Sequence, residues 1–457
     1  MKYTIILILL LLVLVIIPWK SHPEKFQDEQ APPQDTLVTA IHDLFTNEFS
    51  DLDETKRLDQ TIQRFMNQWE IKGASLAIMK DGKLIYSKGY GYADEENGIK
   101  TDVNHIFRIA SVSKLITAAG IMKLVENGKL SLDDKVFGED GILNDTTLYY
   151  PIKDKRTKNI TVENLLRHQG GFSARYGDPM FKPVDIAKKM DVPAPADLNT
   201  IIKFVLSRRL GFTPGTSTNY SNVGYGILTK VIEQVAGEEY ERFIQDSILI
   251  PAGCYDMHLA RNLYEERYLN EVRYYEQADA DLIQSCDGRD TLLPRSNGGN
   301  NIEALYGAGG WVASPTELLC FLASIDGDDT YPDILSGSSV ETMVSCPGFS
   351  LPIGWMKANN CGDWLRSGTL AGTSAMLKRQ HDGFSWAFIT NTSNWTGPHF
   401  PQKIERMIYQ AMNRVKEWPD RNLFDPAYCK NYHDQKKLLA NEESPKFGPP
   451  TPDNLKL

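Results

Sequence analysis

The sequence predicts an α+β protein: one antiparallel sheet built from both ends of the chain, flanked by an N-terminal and a C-terminal helix, with a mainly helical insert between them. Three observations carry this. Two β-prone runs, Ala74–Lys80 and Lys83–Tyr90, meet at Asp81-Gly82, residues that tolerate the positive φ of a type I′ hairpin turn. Three further β-prone runs come late, at Asp363–Ser367, Ser374–Arg379 and Phe384–Thr390, with His381-Asp382-Gly383 turning between the last two. Between them, from about 126 to 294, the apolar spacing is helical. With 457 residues, 42% of them hydrophobic, the chain can bury a sizeable core.

The elements follow in order. Residues 1–19 carry the uninterrupted apolar run Ile5–Ile17, which reads as a signal anchor or a cleaved signal peptide. The anchor is preferred, because Pro18-Trp19-Lys20-Ser21-His22-Pro23 offers no small-x-small cleavage site. Residues 20–54 are polar and acidic and read as a tether. Leu58, Ile62, Phe65, Met66 and Trp69 then form one helical stripe. Thr161 is a candidate helix cap before Leu165 and Leu166, with Gly170-Gly171 as the stop. Leu228, Val231, Ile232 and Val235 make a second stripe closed by Gly237, and Ser314-Pro315-Thr316-Glu317 is a capping box opening a helix to about Ser324. A final amphipathic helix covers about Pro401–Val415. The expected organisation is a discontinuous sheet domain (55–125 and 295–417), a helical domain (126–294) and a proline-rich, extended tail (418–457).

Composition excludes several functions. Lys and Arg number 49 against 59 Asp and Glu, a formal charge of -10, so no basic footprint for nucleic acid exists. Six cysteines are too few for a disulfide scaffold and contain no Cys-x-x-Cys pair for zinc. Gly-x-Ser-x-Gly, His-Glu-x-x-His and the phosphate-loop pattern are all absent. No cofactor or metal is expected, and the apolar leader places the body outside the cytoplasm, held at the membrane through residues 3–19 or, if cleaved, secreted or periplasmic.

Ser111-Val112-Ser113-Lys114 is the one Ser-x-x-Lys in the chain. At a helix start, positions i and i+3 share a face, so Ser111 Oγ and Lys114 Nζ can meet. A serine hydroxyl is a poor nucleophile until a neighbour takes its proton, and a lysine can do so only when burial or nearby cations depress its pKa. The helix N-terminus adds a free backbone N–H for a developing oxyanion. Tyr220-Ser221-Asn222 follows a Pro214-Gly215 turn, supplying a phenol that can relay protons and an amide that can orient a substrate. Arg366-Ser367-Gly368-Thr369 lies on an expected strand, where glycine would let a substrate backbone approach.

In this order the three elements resemble the serine β-lactamase and penicillin-binding-protein superfamily, with its Ser-x-x-Lys, Tyr-x-Asn and Lys/His-Thr/Ser-Gly motifs. Phe107–Lys114, Leu165–Gly171, Phe212–Thr216 and Tyr306–Trp311 are similar to further segments of its class C β-lactamase, D-Ala-D-Ala carboxypeptidase and esterase branch. The resemblance implies that fold, and Ser111 as the acylated nucleophile. Lys114 and Tyr220 would share the base role and return a proton to the leaving group. Asn222 would position the substrate amide, and the N–H groups of Ser111 and Thr369 would form an oxyanion hole, about 3–4 kcal/mol per donor. Arg366, with Ser367 and Gly368, would bind substrate.

Arg366 departs from the family's Lys or His. Arginine keeps its charge, so it cannot exchange a proton, but it can fork a substrate carboxylate. The plainer reading pairs it with an acidic neighbour such as Asp363. Likewise His168 reads as a structural histidine bonding backbone, Trp311 and Trp355 as core, and the sequon residue Asn219 as unglycosylated because a glycan would obstruct Tyr220. The expected activity is an extracytoplasmic serine hydrolase acting on an ester, amide or peptide, a small molecule or short peptide that can carry a carboxylate. The competing reading is a catalytically idle binding protein of the same fold.

Overall fold

Leu58, Ile62, Phe65 and Met66 fall on one side of helix α1 (Lys56–Gln68) and are buried there. This is the first long element of the computed structural model, which describes residues 44–434 apart from 174, 176, 360, 395 and 433. The chain then enters strands β1 (Gly73–Lys80) and β2 (Lys83–Asp94) through the expected turn, with Asp81 at φ 47° and Gly82 at φ 74°. Strand β3 is the short Ile99–Lys100. Helix α2 (Ser113–Glu126) is apolar on nearly every side, as a helix must be at the centre of a core. Helix α3 (Asn222–Ala236) starts on a Ser221 cap and ends at Gly237 in the left-handed region. Helix α4 (Pro315–Ala323) is capped by Ser314, while the Glu317 carboxylate accepts from the N–H groups of Tyr255 and Asp256. Strands β4 (Lys357–Ala358), β5 (Trp364–Leu370), β6 (Thr373–Arg379) and β7 (Phe384–Thr390) precede helix α5 (Phe400–Met412).

The seven strands form one sheet in the order β3-β2-β1-β7-β6-β5-β4, all neighbours antiparallel, so the two chain ends join where β1 pairs with β7. Strand alternation splits the sheet's residues between two cores. Leu76, Ile78, Met376 and Phe388 meet α1 and α5, whereas Ala77, Leu377, Ala387 and Ile389 join the larger cluster around α2 and α3. Strand β5 pairs with β4 only at Trp364 and Leu365, which leaves Arg366–Leu370 bordering the turn that carries Ser111.

Three expectations are corrected. The tether does not extend to residue 54: Phe45 and Phe49 are buried, Asn47 bridges Gly89 and Thr101, and 3-10 turns cover Asn47–Ser50 and Asp53–Thr55. Nor is the chain past 418 an extended tail throughout. Arg421, Leu423, Phe424 and Cys429 are buried, 426–432 is helical, and Phe49 stacks on Tyr432 at 4.0 Å. The insert is mainly helical as expected, with short strands added: His258–Leu259 pairs with Trp311–Ala313, which also pairs with Phe107–Arg108. Pieces of two or three residues are too short to display periodicity. Finally, the helix capped by Thr161 ends at Leu166, before Gly170, because the chain must turn at His168 (φ 61°).

Residues 1–19, with the anchor or signal they were expected to form, lie outside the described residues. Among the described residues no helix is long and apolar enough to cross a membrane. The six cysteines are unbonded thiols.

Candidate active site

Ser111 sits in a 3-10 turn, Ala110–Val112, at the mouth of α2. Ala110 takes a left-handed φ of 49°, an uncommon conformation for a residue with a Cβ, and the Ile109 N–H donates to Trp311 O at 3.0 Å. One helical turn on, Lys114 is fully buried and its Nζ lies 3.2 Å from Ser111 Oγ. The same ammonium donates to Asn222 Oδ1 at 2.7 Å and to the carbonyl of Ala308. Tyr220 Oη lies 2.8 Å from Ser111 Oγ on the other side. Distant stretches of chain thus deliver a hydroxyl, an amine and a phenol to one point.

The surroundings hold these groups in place. The Ser221 N–H donates to His168 Nδ1 at 3.1 Å, and the His168 ring lies 4.4 Å from that of Tyr220. Histidine is therefore structural here, against the backbone of a segment 53 residues away. Asn222 Nδ2 donates to Asp178 Oδ2 at 2.7 Å, which fixes the amide so that its oxygen faces Lys114. Asn219 Nδ2 donates to Phe172 O at 2.8 Å. Trp311 and Trp355 are core residues, 0% and 1% exposed.

Arg366 departs from both readings given to it. It is 1% exposed, its Nε donates to Ser111 O at 2.7 Å and its Nη2 to Tyr220 Oη at 2.9 Å. The fork expected to face a substrate carboxylate is engaged inside the site. Asp363 instead contacts His381 at 3.1 Å. Gly368 also differs from its expected use. A Cβ there would stand 2.5 Å from Ile109 O and 2.6 Å from Ser111 N, so the missing side chain admits the nucleophile's own turn. Ser367 Oγ contacts Met356 Sδ at 3.5 Å. Thr369, half-buried, follows Gly368 on the same strand.

Electrostatics favours proton exchange within this group. Burial, reinforced by the Arg366 guanidinium, lowers the Lys114 pKa to about 8. For Tyr220, 38% exposed as a residue, desolvation of its hydroxyl works against ionisation, but Arg366 and then Lys114 outweigh it and bring the phenol down to about 8. An amine and a phenol, both held below their ordinary pKa, flank one serine hydroxyl. Burial, then Lys114 and Arg366, hold His168 neutral, well below the usual imidazole range. Asp178 and the Ala308 carbonyl belong to the site but had no sequence signal; Asp178 also caps the short turn Pro179–Phe181. Among the described residues no cluster of His, Cys, Asp and Glu could hold a metal.

The Beta-lactamase family model matches residues 58–407, which takes in every element of this site. The chain belongs to the Beta-lactamase family. Over 358 residues it is 25% identical to Putative penicillin-binding protein PbpX of Bacillus subtilis (strain 168), covering 78% of this chain and 79% of that one. It is 29% identical over 200 residues to Protein flp of Staphylococcus aureus (strain COL), 44% of this chain, and the match spans only 37% of that longer relative. Among solved structures, the octameric penicillin-binding protein homologue from Pyrococcus abyssi superposes with a TM-score of 0.59 at 26% identity, over 80% of each chain. The D-amino acid amidase from Ochrobactrum anthropi SV3 gives 0.61 at 20% identity, over 80% of this chain and all of that one, a likeness of fold. The antiparallel sheet flanked by helices is thus the β-lactamase and penicillin-binding-protein fold, and the family's members are serine hydrolases.

Proposed function

We propose that this Beta-lactamase family member is an acylating serine hydrolase for ester, amide or peptide bonds, with Ser111 as nucleophile. The observation that carries the reading is the contact of both Lys114 Nζ (3.2 Å) and Tyr220 Oη (2.8 Å) with Ser111 Oγ. Loss of one proton from the Lys114–Tyr220 pair leaves a base beside the serine. Two cations, Arg366 and Lys114, stabilise that base in its phenolate form. As Ser111 Oγ attacks the carbonyl carbon, its proton passes to Tyr220, which returns it to the departing oxygen or nitrogen. Water then repeats the sequence to release the acid. The Ser111 N–H and the neighbouring strand edge at Thr369 are the proposed oxyanion donors. Asn222 keeps Lys114 in place and orients a substrate amide.

Turnover of p-nitrophenyl esters tests this. Wild type should hydrolyse them, Ser111→Ala should not, and Lys114→Ala should fall by about 10²–10⁴-fold. Equal turnover in all three would refute the assignment, and no turnover in any of them would leave the idle binding protein. The proposed location, outside the cytoplasm and anchored through residues 3–19, is supported by the Ile5–Ile17 run. External protease acting on intact cells should then digest the protein, and full protection would refute it.

A further inference from the structure

Tyr220 borders a cavity of about 410 Å³ that the catalytic groups do not fill. Its apolar lining includes Phe172, Ile186, Leu210 and Val223, all buried. Three cations also line it: Lys189, Arg208 and Arg209. Lys189 and Arg208 both stand over the Phe204 ring, at 5.9 and 5.0 Å, and among the described residues none of the three forms an ion pair with a carboxylate. Arg175 and Lys182 line the cavity too. Among the described residues two carboxylates line the cavity as well, and Asp178 is already engaged by Asn222 and by the Met180 N–H, leaving Asp185. The chain as a whole has ten more acidic than basic side chains, 59 against 49, so the cavity runs against its overall charge.

We infer that this cavity is a substrate subsite that takes an apolar stem ending in an anion. The inference rests on the acyl-enzyme reading of Ser111 and deepens it. The stem lies against Phe172, Ile186, Leu210 and Val223, and the anion meets Lys189, Arg208 and Arg209. A low-dielectric wall behind a cationic rim strengthens attraction for a negative group and repels a positive one. The cavity has the dimensions of a small-molecule site, roughly 300–1,000 Å³. This position for the anion replaces Arg366, whose fork is taken.

Two series of esters test it, one carrying the arm on the acyl side and one on the alcohol side. In each, an alkyl arm ends in methyl, carboxylate, phosphate or ammonium at matched length. At low salt, one series should show kcat/KM for the carboxylate or phosphate ester about 10-fold or more above the methyl ester, with ammonium below it, and the gain should shrink as salt rises. In Arg208→Glu/Arg209→Glu the ratio of kcat/KM for the anionic ester over the methyl ester should fall to about 1 or below. The carboxylate and phosphate arms tell the two kinds of anion apart. Neither series favouring an anion, or a preference that survives the charge reversal, would overturn the inference. Labelling of Ser111 by a fluorophosphonate is run alongside: labelling without anion preference rejects the subsite alone, whereas no labelling rejects the acyl-enzyme.

Discussion

At the scale of single residues, Arg366 touches both Ser111 O and Tyr220 Oη. Of the groups that lower the Tyr220 pKa to about 8, its guanidinium is the strongest. Because the base is the form that has lost a proton, acylation should rise with pH and level off above about 8, the pair titrating as one coupled system. Arg366→Gln removes a cation that favours phenolate, so the rising limb should move to higher pH and the rate at neutral pH fall about 10- to 100-fold. A stopped-flow pH–rate profile of both proteins checks this; an unmoved limb would remove Arg366 from the mechanism. Gly368 makes a steric prediction. Gly368→Ala must displace Ile109 O or Ser111 N, at a cost of about 1–3 kcal/mol, with acylation impaired more than folding. Thermal melts beside ester turnover separate the two effects. Ser111 and Lys114 were legible because three residues apart at a helix start is a short-range geometric statement. Asp178, the Ala308 carbonyl and the partners of Arg366 were not, because only tertiary closure joins Lys114 to a carbonyl 194 positions away or Arg366 to one 255 positions away.

Between elements, the hairpin, the late strands and the two flanking helices were readable from alternation, turn chemistry and apolar stripes. The docked segments at each end of the body were not. Residues 45–54 hold few apolar side chains, and those of 419–432 find partners only across long sequence separations. Arg421 donates to Ile85 O at 2.8 Å and to Phe49 O, joining the late segment to β2 and to the early one. Phe49, 1% exposed, is therefore core. Phe49→Ala should destabilise the protein by about 3–5 kcal/mol. Denaturant titration reads this directly, and an unchanged midpoint would return residues 45–54 to the status of a tether.

For the molecule as a whole, the sheet unites the two chain ends and the insert brings in Tyr220 and Asn222, so that both lobes contribute to one cleft. The α+β class and the order of the motifs were legible because each motif keeps its local turn chemistry. The cationic cavity was not, since its lining is gathered from segments between 172 and 223 with no shared spacing. Peptide mapping after reaction with a fluorophosphonate tests the central claim most directly. A single covalent adduct on the peptide containing Ser111, formed much more slowly in Tyr220→Phe, is the expected result. An adduct on another residue, or formation at the wild-type rate without the phenol, would contradict it.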